Sequence, residues 1–120
     1  MKFPTSVTVR GYTYDIEYVA TDREVDYDFQ AGFLGQVCHQ QDKAKIRVLV
    51  SDPIKTLDTV IHEILHVIFA RNSLLKAAIR PEVGDEAFVD TLACELAFLL
   101  DSNGWIDLPK EIPVTKQRIV

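Results

Sequence analysis

Between Ile54 and Phe69 the apolar residues Leu57, Val60, Ile61, Ile64, Leu65, Ile68 and Phe69 follow 3- and 4-residue spacing, and three polar groups, His62, Glu63 and His66, interrupt them. That period belongs to a largely buried α-helix, so the chain must fold around this segment. It must also find partners for the interrupting groups, because burying each unpaired would cost roughly 1 to 3 kcal/mol. Ser51-Asp52-Pro53 supplies two N-cap candidates and a proline suited to the first helical position, and Arg71-Asn72 stands near the end. The spacing predicts a helix over 51–72.

His62-Glu63-Ile64-Leu65-His66 reads H-E-x-x-H. Residues four apart share a helical face, so both imidazoles can offer nitrogen to one metal ion. Glu63 is then placed to take a proton from water beside that metal, which is the arrangement metal-assisted hydrolysis requires. The bland alternative is a metal-free helical core in which the histidines are satisfied by ordinary hydrogen bonds. It predicts no bound metal after purification.

Around this helix the sequence reads as one domain, 1–120. Its parts are a β-rich portion (1–50), the H-E-x-x-H helix (51–72), a second helix (84–103) and a tail (104–120). Val7 to Val9 and Tyr12 to Val19 have strand character, with Gly11 between them. Thr21 to Asp28 looks like a loop. Gly35 to Cys38 and Ile46 to Val50 flank the polar stretch His39 to Lys45, the layout of a β-hairpin. Asn72 to Val83 reads as a connection, broken at Arg80-Pro81. Asp85 is the expected N-cap of the second helix, Phe88, Leu92, Leu96, Leu99 and Leu100 its apolar stripe, and Asn103-Gly104 its end. These elements predict an α+β fold in which a small antiparallel sheet packs on two main helices with the metal between them.

The charge balance narrows the partners. Eighteen acidic residues against 13 basic ones give a net charge of -5, and the basic residues are scattered, which disfavours nucleic acid. No stretch approaches the roughly 18 apolar residues of a membrane span, and no signal peptide is evident. Cys38 and Cys94 are too few and too far apart to suggest a disulfide framework. A soluble, cytoplasmic protein is expected. Oligomeric state is left open.

A catalytic zinc ion normally takes three protein ligands and keeps a fourth position for water. The downstream candidates for the third are Glu82, Asp85, Glu86, Asp90 and Glu95. Glu86 can serve as ligand while Asp90, one turn further along, accepts the Nδ1 hydrogen of a ligating histidine. Equally, Glu86 can be a helix N-terminal acid favoured by the macrodipole and Asp90 a solvated surface residue.

His62-Glu63-x-x-His66 followed by Glu86-x-x-x-Asp90 resembles the gluzincin metallopeptidases, which place a third-ligand Glu twenty residues after the second His and an orienting Asp four residues later. Positions 66, 86 and 90 match both spacings. The resemblance covers 62–90 and implies Zn²⁺ held by His62, His66 and Glu86, with Glu63 catalytic and Asp90 orienting a ligand histidine. The wider layout is similar to minimal, zincin-like metallopeptidase domains of the ImmA/IrrE type, many of them encoded by phages and mobile elements. It implies a hydrolase acting on a peptide or protein substrate. A zinc-binding regulatory or interaction module without proteolytic activity is the alternative.

One departure stands out. Full-size gluzincins bring a Tyr or His from outside these helices to stabilise the oxyanion, and no matching segment follows the second helix here. His39, Arg71 and Arg80 are possible donors, and none is assigned. Cys94 lies two turns beyond Glu86, where a small core cysteine is favoured over a site residue. An extended substrate is expected to pair with a strand of the hairpin, 35–38 or 46–50.

Overall fold

In the computed structural model, which describes residues 2–21, 34–39, 44–78 and 84–115, the β-rich portion forms a four-stranded sheet. Strands β1 (Ser6–Val9) and β2 (Tyr12–Val19) make an antiparallel hairpin with Val9 opposite Tyr12. Arg10 (φ 51°) and Gly11 (φ 85°) join them, both left-handed, as a type I′ turn requires. Glycine adopts that backbone freely, whereas Arg10 does so at a cost of about 1 to 2 kcal/mol.

Strands β3 (Gly35–Cys38) and β4 (Lys45–Leu49) are antiparallel, with Val37 opposite Ile46. The sheet as a whole departs from the antiparallel expectation. β4 runs parallel to β2, pairing Ile16 with Ile46 and Tyr18 with Val48, so the order is β1-β2-β4-β3 and the sheet is mixed. A hairpin turn specifies only the pairing of strands adjacent in sequence. Which strand meets β2 is decided by burial: Ile46 and Val48 are fully buried and complete one apolar face with Tyr14, Ile16 and Tyr18. β3 is half-exposed throughout, as suits an edge. β4 is therefore interior, and of the two strands expected to receive a substrate only β3 is an edge strand among the described residues.

Helix α1 (Pro53–Ala70) begins as its sequence predicts, with the Asp52 carboxylate accepting the Lys55 N–H at 3.0 Å and Pro53 in the first turn. It packs against β3 and β4 on one side and against a third helix on the other. The expected connection after Asn72 contains a short helix, α2 (Ser73–Ala78), whose Leu75 N–H is capped by the Asn72 side chain at 3.1 Å.

Helix α3 (Asp85–Ser102) is capped at Gly84, not at Asp85. Gly84 has φ 80° and ψ 150°, a conformation open essentially to glycine alone, so the chain enters the helix there and Asp85 becomes its first residue. At the other end Gly104 is left-handed (φ 65°), and the Trp105 N–H reaches the Leu100 carbonyl at 3.1 Å, closing the helix at Asn103-Gly104 as expected.

The apolar stripe of α3 also differs from the predicted one. Val89, Ala93 and Ala97 are fully buried, while Phe88 and Leu99 are 40% and 46% exposed. Helices approach closely where their contact residues are small, so the small side chains at four-residue spacing take the interface with α1 and the large ones are left on its flanks. This rotation matters for function. Glu86 lies seven residues and Asp90 three residues ahead of Ala93, on the side that carries Val89, and so both come to the α1 interface.

The tail packs against the sheet as far as it is described. Ile112 joins the core beside Phe3 and Tyr18, and the Thr115 N–H donates to the Tyr18 carbonyl at 2.7 Å. Residues 22–28 of the predicted loop, 40–43 of the hairpin turn, Arg80, Glu82 and 116–120 lie outside the described residues. Among the described residues no helix is long and apolar enough to cross a membrane.

Candidate metal centre

One helical turn separates His62 from His66, and their Nε2 atoms stand 3.2 Å apart with the ring centroids at 4.8 Å. Glu86, in the first turn of α3, reaches both. Its Oε1 is 2.7 Å from His62 Nε2 and its Oε2 2.9 Å from His66 Nε2. The three ligand atoms lie within 4.8 Å of one another. Of the other candidates for a third ligand, Glu82 and the side chain of Asp85 lie outside what is described, and Glu95 is not in the group. Two imidazole nitrogens and a carboxylate oxygen, converging on one point at these separations, fit a divalent metal ion, and nitrogen-oxygen sets of this kind suit first-row transition metals.

Glu63 points from the same helix into the layer between α1 and β3. It is 6% exposed, and its Oε1 stands 4.0 Å from His62 Nε2. Burial, with the Glu86 carboxylate adding to it, pushes its pKa up from 4.5 to about 7. The sign of the resulting stability change is fixed in the metal-free chain, because the unfolded state ionises first. Glu63 contributes its full stability below pH 4.5, and that contribution is lost as pH rises toward about 7. Urea unfolding of metal-free protein between about pH 4 and pH 8 is expected to show Glu63→Gln gaining on the wild type by up to about 3 kcal/mol. A constant difference would mean that Glu63 is not buried as described.

Gly35 explains how β3 can lie so close. A Cβ at this position would stand 2.8 Å from both Cγ and Oε1 of Glu63 and 3.0 Å from Thr59 Cγ2. The sequence marks Gly35 only as the start of a strand, although a glycine there is the usual signal of a close approach. Gly35→Ala must displace Glu63 or lift β3 away from α1, and it is expected to lower stability by about 1 to 3 kcal/mol. An unchanged urea midpoint would contradict the close contact.

Asp90 lies on the opposite side of the His62 ring from Glu86, with Oδ1 3.6 Å from Nδ1. That is the side from which a carboxylate orients a ligating histidine, at a distance slightly beyond a formed hydrogen bond. Asp58, one turn ahead of His62, was not anticipated. Its carboxyl is held above its usual range by burial and by Asp90, with His62 acting in the other direction. Cys94 stands near this cluster but outside the metal group; partial burial and the carboxylates of Asp58, Glu95 and Asp90 raise its thiol above the usual range.

A cleft of about 470 Å³ opens over the centre, walled by Gly35, Gln36 and Val37 of β3 on one side and Phe69 and Ala70 of α1 on the other. His39 also lines it. A second pocket of about 250 Å³, on the far side of His62 and Glu63, is lined by Asp58, Thr59 and Asp90. Arg71 turns away from the cleft. Its Nε and Nη2 donate to the Tyr14 hydroxyl at 2.9 and 2.7 Å, and its guanidinium lies 3.7 Å from the Tyr12 ring centroid.

No protein-family model, no curated protein and no solved structure matches the chain.

Proposed function

We propose that this protein is a zinc-dependent peptidase that hydrolyses a peptide or protein substrate in the cleft between β3 and α1. The observation that carries the reading is the buried carboxylate of Glu63, held beside three converging metal donors. The two Nε2 atoms stand 3.2 Å apart, close to the edge of about 3.3 Å for a tetrahedral zinc site with bonds near 2.0 to 2.1 Å, and each faces one oxygen of the Glu86 carboxylate, at 2.7 and 2.9 Å.

His62, His66 and Glu86 would hold the zinc ion, which when bound would supply Lewis acidity to a water and a carbonyl oxygen. The chain's own residues do the rest. Glu63 takes the proton of the attacking water as it adds to the carbonyl carbon, then returns that proton to the leaving amine as the C–N bond breaks. Asp90 orients the His62 ring through Nδ1. β3, the edge strand of the sheet among the described residues, would offer its backbone to an extended substrate, and Gly35 lets that strand run close to Glu63.

The test is metal content by mass spectrometry on protein purified and offered zinc, followed by incubation with a mixed peptide library. One zinc per chain with cleaved peptides is the expected result. Stoichiometric zinc without turnover would replace the peptidase with a zinc-binding interaction module, and no zinc at all would reject both.

A further inference from the structure

Tyr14 is fully buried, and its hydroxyl sits where β2, α1 and the end of β3 meet. Arg71 donates to it twice, from Nε at 2.9 Å and Nη2 at 2.7 Å. A guanidinium has only donors to offer, so these two contacts occupy both lone pairs of the phenolic oxygen. Among the described residues the hydroxyl hydrogen is left one partner within reach, His39 Nδ1 at 2.8 Å. Tyr14 therefore donates to Nδ1, and His39 carries its ring proton on Nε2.

His39 is an exposed residue that borders the same cleft as His62, Glu63, His66 and Glu86. We propose that His39 donates its Nε2–H to the carbonyl oxygen of the scissile peptide, with Tyr14 and Arg71 as positioning residues that fix its tautomer. This assignment rests on the peptidase reading above. As the water oxygen bonds to the carbonyl carbon, the carbonyl electron pair moves onto oxygen and the water proton passes to Glu63. The Nε2–H hydrogen bond shortens onto the resulting oxyanion, and His39 keeps its proton throughout. When the C–N bond breaks, its electron pair goes to nitrogen, which takes the proton from Glu63.

Two further features support a neutral donor. Burial, the charge of Arg71 and the nearby His66 all lower the His39 pKa, which favours the neutral ring. The chain of contacts is also rigid, because Tyr14 is held within the core and Arg71 stacks on Tyr12. A donor held by fixed contacts needs little reorganisation during the reaction.

Two measurements on the full chain test the assignment. Nitrogen NMR of ¹⁵N-histidine-labelled, metal-free protein should show His39 protonated at Nε2 and bare at Nδ1, and Tyr14→Phe should shift that balance. The reverse tautomer in the wild type would overturn the proposal. In the zinc-loaded protein His39→Ala should lower kcat by about 10²-fold with little change in KM or zinc content, and His39→Gln, which restores an N–H donor, should recover part of the loss. Wild-type kcat in His39→Ala at full zinc occupancy would sink the His39 assignment while leaving the peptidase reading intact. If the zinc-loaded wild type neither cleaves peptides nor binds a peptide phosphonate, which mimics the tetrahedral oxyanion, the peptidase reading falls and takes this assignment with it.

Discussion

Glu63→Gln is expected to lower peptide hydrolysis by about 10³-fold or more while leaving zinc content at the wild-type level. The glutamine amide keeps the shape of the side chain and fills the space against Gly35, so the cleft and the metal group persist. What it loses is the ability to accept a proton from water and return it to the leaving amine. Glu63 is not among the three converging donors, which is why metal content and activity should separate in this variant. Measuring both on one preparation decides the matter. Retained hydrolysis would remove Glu63 from the chemistry, and lost zinc would make it a ligand instead.

His66→Ala should weaken zinc binding by on the order of 10³-fold, more than Glu86→Ala and far more than Asp90→Asn. Removing a group that only orients a ligand costs about 10- to 100-fold, so Asp90→Asn sets the lower end of the series. Glu86 falls between because its side chain is 72% exposed, against 28% for His66, and water can partly replace a carboxylate at the solvent side of a site. The affinities can be read by competition with a chromophoric chelator. Equal affinities for Glu86→Ala and the wild type would show that the Glu86 carboxylate is a mere neighbour of the histidines and not a ligand.

The two predictions draw on information of different range. His62, Glu63 and His66 lie within one helical turn, and the 3.6-residue period alone brings the two rings to one face. Glu86 is different. Its position relative to the histidines depends on how α3 is rotated against α1, and the large apolar residues Phe88 and Leu99 suggested a rotation that the structure does not have. The buried line of Val89, Ala93 and Ala97 sets it instead, because close helix packing selects small contacts over the most hydrophobic ones. The spacing from 66 to 86 to 90 pointed, through a family resemblance and not through geometry legible in the chain itself, to the residue that the structure brings beside the two histidines.

The sequence by itself determined the elements whose causes are local: the Asp52-Pro53 start of α1, the end of α3 at Gly104, the two hairpins and the paired histidines, each specified by residues within a few positions of one another. Tertiary structure alone decided the parallel pairing of β2 with β4, the approach of Gly35 to Glu63, and the chain of contacts from Arg71 through Tyr14 to His39. Those partners are separated by 57 and 25 positions. No turn, cap or period reaches so far. Such contacts form only when the two apolar faces of the sheet and of α1 close on each other, and the polar groups trapped at that junction must then satisfy one another.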